Sequence, residues 1–187
     1  MNLEQAYIYI IAGIFILFVI ILCYIYVHLI SALFIWPPTI PTDKRTANKM
    51  LEAAKKYFNQ QQVFEVAELG VGYGGLTKRF SRYFEAAKFT GIELLFVPYL
   101  FSKIYHRKNP KVRLIHNSFL NESLSGFDLF LTFYIRGDKK LPEKLMKEAK
   151  KGAIVISNNF EIIGLELLEK LEVKYLVDKH YVYVHRV

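Results

Sequence analysis

From Gln5 to Thr42 the chain contains no Asp, Glu, Lys or Arg, and 28 of the 31 residues from Ala6 to Trp36 are apolar. A helix crosses a bilayer with about 20 apolar residues at roughly 1.5 Å each, and Tyr7 to Val27 meets that length alone. The run continues to Trp36, which leaves length for tilt or an interfacial extension. A core helix rarely extends so far without a charge. A cleavable signal peptide opens on basic residues, has a shorter apolar centre and closes on small residues. Here Glu4 precedes the run and no Lys or Arg does. Residues 1–36 therefore read as a permanent single-pass anchor, in contact with the bilayer through residues 7–36.

Lys44, Arg45, Lys49, Lys55 and Lys56 follow the span closely. The positive-inside rule then places the rest of the chain on the cytoplasmic, or an equivalent, side. The whole-chain averages of 53% hydrophobic and +8 net charge describe neither part. Beyond Thr42, 145 residues hold 68 apolar and 41 charged side chains and a net charge of +9. Those are the proportions of a soluble globular domain. They exclude a disordered chain and a polytopic membrane protein. Cys23, the only cysteine, lies inside the span. Disulfide scaffolds and cysteine zinc sites are excluded, and a catalytic thiol is disfavoured.

Residues 37–62 form a hinge and a leading helix. Pro37, Pro38 and Pro41 cannot continue the span. Thr42 or Asp43 can cap a helix from Lys44 to Phe58, whose Ala47, Met50, Leu51, Ala54 and Phe58 share one face. From residue 63 to 187 strands and helices alternate. Strands are expected at Val63–Leu69, Phe89–Glu93, Val112–His116, Phe127–Phe133 and Ala153–Ser157. Helices are expected at Leu76–Ala87, Val97–Arg107 and Pro142–Lys150. That alternation predicts a parallel sheet covered on both faces. Glu172–Val177 and Tyr181–Arg186 are separated by three residues, too few for a crossover, so they predict an antiparallel hairpin.

Glu68-Leu69-Gly70-Val71-Gly72-Tyr73-Gly74-Gly75 follows the first of these strands and precedes a helix. Glycines there permit a tight turn and close approach of a ligand to backbone amides. Glu93, at the end of the next strand, can accept hydrogen bonds from both hydroxyls of a ribose. Dinucleotides and S-adenosylmethionine both use this arrangement, and Gly70, Gly72 and Gly75 also match the dinucleotide pattern. Glu68 discriminates: a carboxylate repels a pyrophosphate but favours an ammonium. The alternative for Glu68 is a helix-capping or strand-end carboxylate. Tyr99 and Lys103 form a Tyr-x-x-x-Lys pair on the wrong element for dehydrogenase chemistry.

With Glu68-Leu69-Gly70-Val71-Gly72 as a first motif and Glu93 as a ribose acid, the sequence resembles class I S-adenosylmethionine-dependent methyltransferases. Within them it is most similar to the small membrane-anchored lysine methyltransferases related to the ATP synthase c-subunit lysine methyltransferase. The span, Pro38 to Thr42, Leu131 to Ile135 and Ser157-Asn158-Asn159-Phe160 carry that narrower likeness. The resemblance implies a Rossmann-like α/β fold, a seven-stranded sheet whose last strand is antiparallel. It implies S-adenosyl-L-methionine as cofactor, with Gly70 and Gly72 along the methionine part, Glu93 on the ribose and Asn117 beside the adenine, where many relatives have Asp.

The activity expected is N-methylation of lysine in a membrane or membrane-associated protein by in-line displacement. Tyr134 is the candidate for orienting the target amine, by hydroxyl or ring face. Packing at a strand end is its alternative. Asn158 and Asn159 can contact substrate or cap a following helix. No metal is required, and His106, His116, His180 and His185 are expected as surface or strand residues. The fourth strand lacks the motif of enzymes acting on exocyclic base amines, and no specific nucleic-acid partner is expected. The lysine-rich stretches read as solvated faces, with attraction to anionic lipid second. Two other functions stay open: a methyltransferase for a lipid or small hydrophobic acceptor, and a non-catalytic anchored binding module.

Overall fold

The computed structural model describes residues 2–34, 41–133, 139–175 and 179–187. It divides into two compact units, residues 1–38 and 39–187. In the first, α1 (Leu3–Phe34) is one helix of 32 residues. Its segment Glu4–Val27 is long and apolar enough to cross a membrane. Ile, Leu, Phe and Tyr side chains are exposed all around that segment, as a helix surrounded by hydrocarbon requires. Trp36, Pro37 and Pro38 lie outside the described residues.

The second unit is built on seven strands: β1 (Glu65–Leu69), β2 (Lys88–Glu93), β3 (Val112–His116), β4 (Leu129–Phe133), β5 (Ile154–Asn158), β6 (Glu166–Lys174) and β7 (Lys179–Arg186). Their order across the sheet is β3-β2-β1-β4-β5-β7-β6. The first five are parallel, and β7 pairs antiparallel with both β5 and β6. Helices α2 (Lys44–Ala54), α3 (Gly75–Tyr83), α4 (Phe96–His106) and α5 (Lys140–Glu148) complete it.

Strand periodicity divides the core in two. Val66, Leu129, Leu131, Ile154 and Ile156 point to one face, where Met50 of α2 and Phe80 of α3 meet them. Ala67, Leu69, Phe130 and Val155 alternate to the other, under Leu141 and Leu145 of α5. Every central strand is buried on both faces, which is why each reads as a continuous apolar run. Asp43 starts α2: its carboxylate accepts the N–H groups of Arg45 at 2.8 Å and Thr46 at 3.2 Å. Thr42 does not cap. Burial works against the Asp43 charge, but hydrogen bonds from Thr46, Tyr175 and Arg45 outweigh it and bring its pKa down to about 2.

Several boundaries differ from expectation. α2 ends at Ala54, and Phe58 reaches the core from a turn, stacking on Phe64 with ring centres 4.3 Å apart. β6 starts at Glu166, six residues before the expected strand. As an edge strand it has only β7 as neighbour, and a register shift between Leu167 and Glu169 breaks its alternation, so it shows no buried run in the sequence. Lys179 and His180 belong to β7 rather than to the loop.

Candidate cofactor and methyl-transfer site

β1 delivers the chain to the glycine loop at the C-terminal edge of the sheet. The Gly70 and Val71 N–H groups both donate to the Ile92 carbonyl, at 2.9 and 3.1 Å, so the loop is stitched to the end of β2. Gly72 then takes a φ of +55°, which costs glycine least. Its N–H donates to Glu93 Oε2 at 2.8 Å, and the Leu95 N–H donates to Glu93 Oε1 at 2.9 Å. Glu93 is 6% exposed. Each carboxylate oxygen has two lone pairs. With one N–H on each, one acceptor position per oxygen remains for a pair of vicinal hydroxyls.

Gly74, at φ +80°, is the N-cap of α3 and has no side chain with which to cap it. A Cβ there would stand 2.6 Å from both His106 Nε2 and Ser102 Oγ. His106 Nε2 lies 3.0 Å from the Gly74 carbonyl. Burial lowers the His106 pKa, against the pull of that carbonyl, and since a carbonyl only accepts, Nε2–H is the donor in this contact. The histidine is a strut beneath the loop, not the surface or strand residue expected.

Glu68 is buried beside the same helix start. The Thr77 hydroxyl donates to its carboxyl group. Burial pushes the Glu68 pKa up to about 8; Thr77, through hydroxyl and backbone N–H, pulls it down, and the Glu93 charge adds to the rise. The contact with Thr77 is the one that the capping alternative describes. Thr77 was missed in the sequence; its signal is a hydroxyl in the first turn of a helix whose N-cap is glycine.

Asn117 follows β3, and its N–H donates to the Glu93 carbonyl at 3.1 Å, which brings it to the same edge. Its side chain is engaged locally: Nδ2 donates to Glu122 Oε1 at 2.6 Å, and Oδ1 accepts the Ser118 N–H at 2.8 Å. Glu68, Gly70, Gly72, Glu93 and Asn117 are thus gathered at the ends of β1, β2 and β3. Tyr134 lies outside the described residues, one position beyond β4.

At the end of β5 the structure departs from one expectation. No helix follows Asn158 and Asn159, so neither is a cap. Asn158 is buried and its Oδ1 is hydrogen-bonded to His180 Nε2 of β7. Asn159 is the one described non-glycine residue with positive φ, at 78°. His185 is buried, and burial lowers its pKa to about 4. Among the described residues no cluster of three or more His, Cys, Asp and Glu side chains is placed to hold a metal.

A dinucleotide-binding sheet continues with parallel strands; this one inserts β7 antiparallel between β5 and β6. The chain has the α/β fold of class I methyltransferases. An RNA methyltransferase from Salinibacter ruber, solved with S-adenosyl-L-homocysteine, superposes with a TM-score of 0.66 over 78% of this chain and 93% of its own, at 19% identity. The N-methyltransferase NodS from Bradyrhizobium japonicum WM9 superposes with a TM-score of 0.61 over 75% and 93%, at 10% identity. In sequence, the methyltransferase-fold chain is similar to a protein-lysine N-methyltransferase of Saccharolobus islandicus (strain REY15A), 27% identical over 152 residues, covering 79% of this chain and 92% of the relative. No protein-family model matches it.

Proposed function

We propose that this chain is an S-adenosylmethionine-dependent methyltransferase that modifies lysine in a membrane-associated protein. The observation that carries the reading is the clasp between the glycine loop and Glu93, whose carboxylate receives two backbone N–H groups and keeps one acceptor position per oxygen. Those two acceptor positions fit the vicinal hydroxyls of a ribose. Gly70 and Gly72 would line the methionine portion, Glu68 would face its ammonium, and Asn117 would border the adenine. When bound, the cofactor would supply a methyl group on a cationic sulfur for transfer to a neutral amine.

The protein's own share is positioning and exclusion of water. A lysine acceptor has to lose its proton first, which an apolar approach favours by disfavouring the charged form. Tyr134 would orient that amine. Lysine as acceptor is supported by the relative from Saccharolobus islandicus. Membrane association is supported by α1, and the basic residues from Lys44 to Lys56 favour the cytoplasmic or equivalent side for the domain.

The test is incubation of the full chain with native membranes and methyl-labelled S-adenosylmethionine, followed by mass spectrometry of the labelled fraction. Methyl-lysine in a protein, absent with Glu93→Ala, is the expected outcome. Label confined to the organic extract would replace the protein acceptor with a lipid. Cofactor binding without transfer to any fraction would favour a binding module.

A further inference from the structure

Helix α4 is inserted with its amphipathicity reversed. Pro98, Ser102 and His106, at i, i+4 and i+8, form its buried face. Two of those three are polar, and both stand under Gly74 of the glycine loop. Val97, Leu100, Phe101, Ile104 and Tyr105 form a stripe at i, i+3, i+4, i+7 and i+8, the spacing of a helix face meant for burial. All five are exposed, Phe101 by 56% and Ile104 by 54%. α4 contributes no residue to either core cluster. The stripe amounts to on the order of 400 Å² of apolar side chain, a size at which a surface patch on a monomer is commonly functional.

Cations frame the stripe. Lys103, Arg107 and Lys108 are exposed on or just beyond α4, and the Lys78 ammonium of α3 sits 3.6 Å from the centre of the Tyr105 ring. From Leu94 to Asn121 there is no Asp or Glu. Two copies meeting through this surface would bring like charges together. An apolar stripe whose own segment carries cations and no acid is instead complementary to a bilayer whose headgroups are anionic and whose interior is hydrocarbon.

We infer that α4 docks on an anionic lipid surface, its apolar stripe in the headgroup boundary and its cations at the phosphates. This rests on the reading of α1 as a membrane anchor. Nine residues separate Phe34 from Lys44 in the sequence. Docking also fixes which side of the domain faces the membrane. Tyr73 of the glycine loop packs edge-on against Phe101 at 6.0 Å, so this edge of the cofactor site would lie beside the lipid.

The test uses the full chain with Cys23→Ser and one introduced cysteine carrying an environment-sensitive fluorophore. The label is placed at Ile104→Cys or, for reference, at Glu52→Cys on the solvent face of α2. Flotation with vesicles of phosphatidylcholine and phosphatidylglycerol reports insertion through α1, and quenching by brominated acyl chains reports docking of α4. The label at position 104 should be quenched more strongly than that at 52. Lys103→Glu with Arg107→Glu, both exposed and outside the cofactor site, should lower the docked-to-undocked ratio about fivefold per charge. Vesicles of phosphatidylcholine alone should lower it likewise. Equal quenching at 104 and 52 in chains that float would overturn the docking. So would quenching indifferent to phosphatidylglycerol, or a response at 104 that appears only as protein density in the bilayer rises. Failure to float would count against the anchor reading instead.

Discussion

Glu68 is a buried carboxyl group with a pKa near 8, so it is largely protonated at neutral pH. An ammonium beside it favours the ionised form and lowers that pKa. Binding of S-adenosylmethionine should therefore release a proton below about pH 8, and affinity should rise with pH through that range. Calorimetry in two buffers of different ionisation enthalpy measures the release directly. Glu68→Gln should abolish both the release and the pH dependence; identical heats in the two buffers for the unaltered chain would remove Glu68 from the ammonium. Thr77 and His106 act one step behind. Thr77 holds the carboxyl in place, and His106 holds the Gly74 carbonyl at 3.0 Å.

At the scale of elements, α2 depends on Asp43, which accepts two backbone N–H groups of its first turn. Asp43→Ala should lower the opening free energy of that turn by about 1 kcal/mol, read as faster amide exchange at Thr46 and Ala47 in the full chain. Unchanged exchange would show that packing of Met50 and Ala54, not the cap, holds the helix. The central parallel strands β1, β4 and β5 were legible because they are buried on both faces and bounded by glycine or a helix pattern. β6 was not, because an edge strand with a register shift carries polar residues and loses its alternation. Helix α4 shows a different limit. Periodicity tells which residues share a face, not which face turns inward; here the inward face is the one whose His106 meets the Gly74 carbonyl. Within the site, Gly72 and Glu93 could be read from spacing. The contacts of His106 and Asn158 depend on residues distant in sequence and could not.

For the whole molecule, the two units differ in make-up. α1 is apolar on every side and carries no site residue, whereas residues 39–187 carry a complete seven-stranded sheet with its glycine loop and acid at one edge. On the proposed reading, confinement near a bilayer would raise the encounter rate with acceptors held in the same membrane, and the domain itself would supply only cofactor binding and alignment. The chain's central claim to methyl transfer thus reduces to whether that edge takes the cofactor. Titration of S-adenosylmethionine into the full chain in detergent micelles, monitored by calorimetry, asks this directly. Saturable binding at one site per chain is expected, weakened roughly a hundredfold or more in Glu93→Ala. No binding by the unaltered chain, or binding of a nicotinamide dinucleotide in its place, would contradict it.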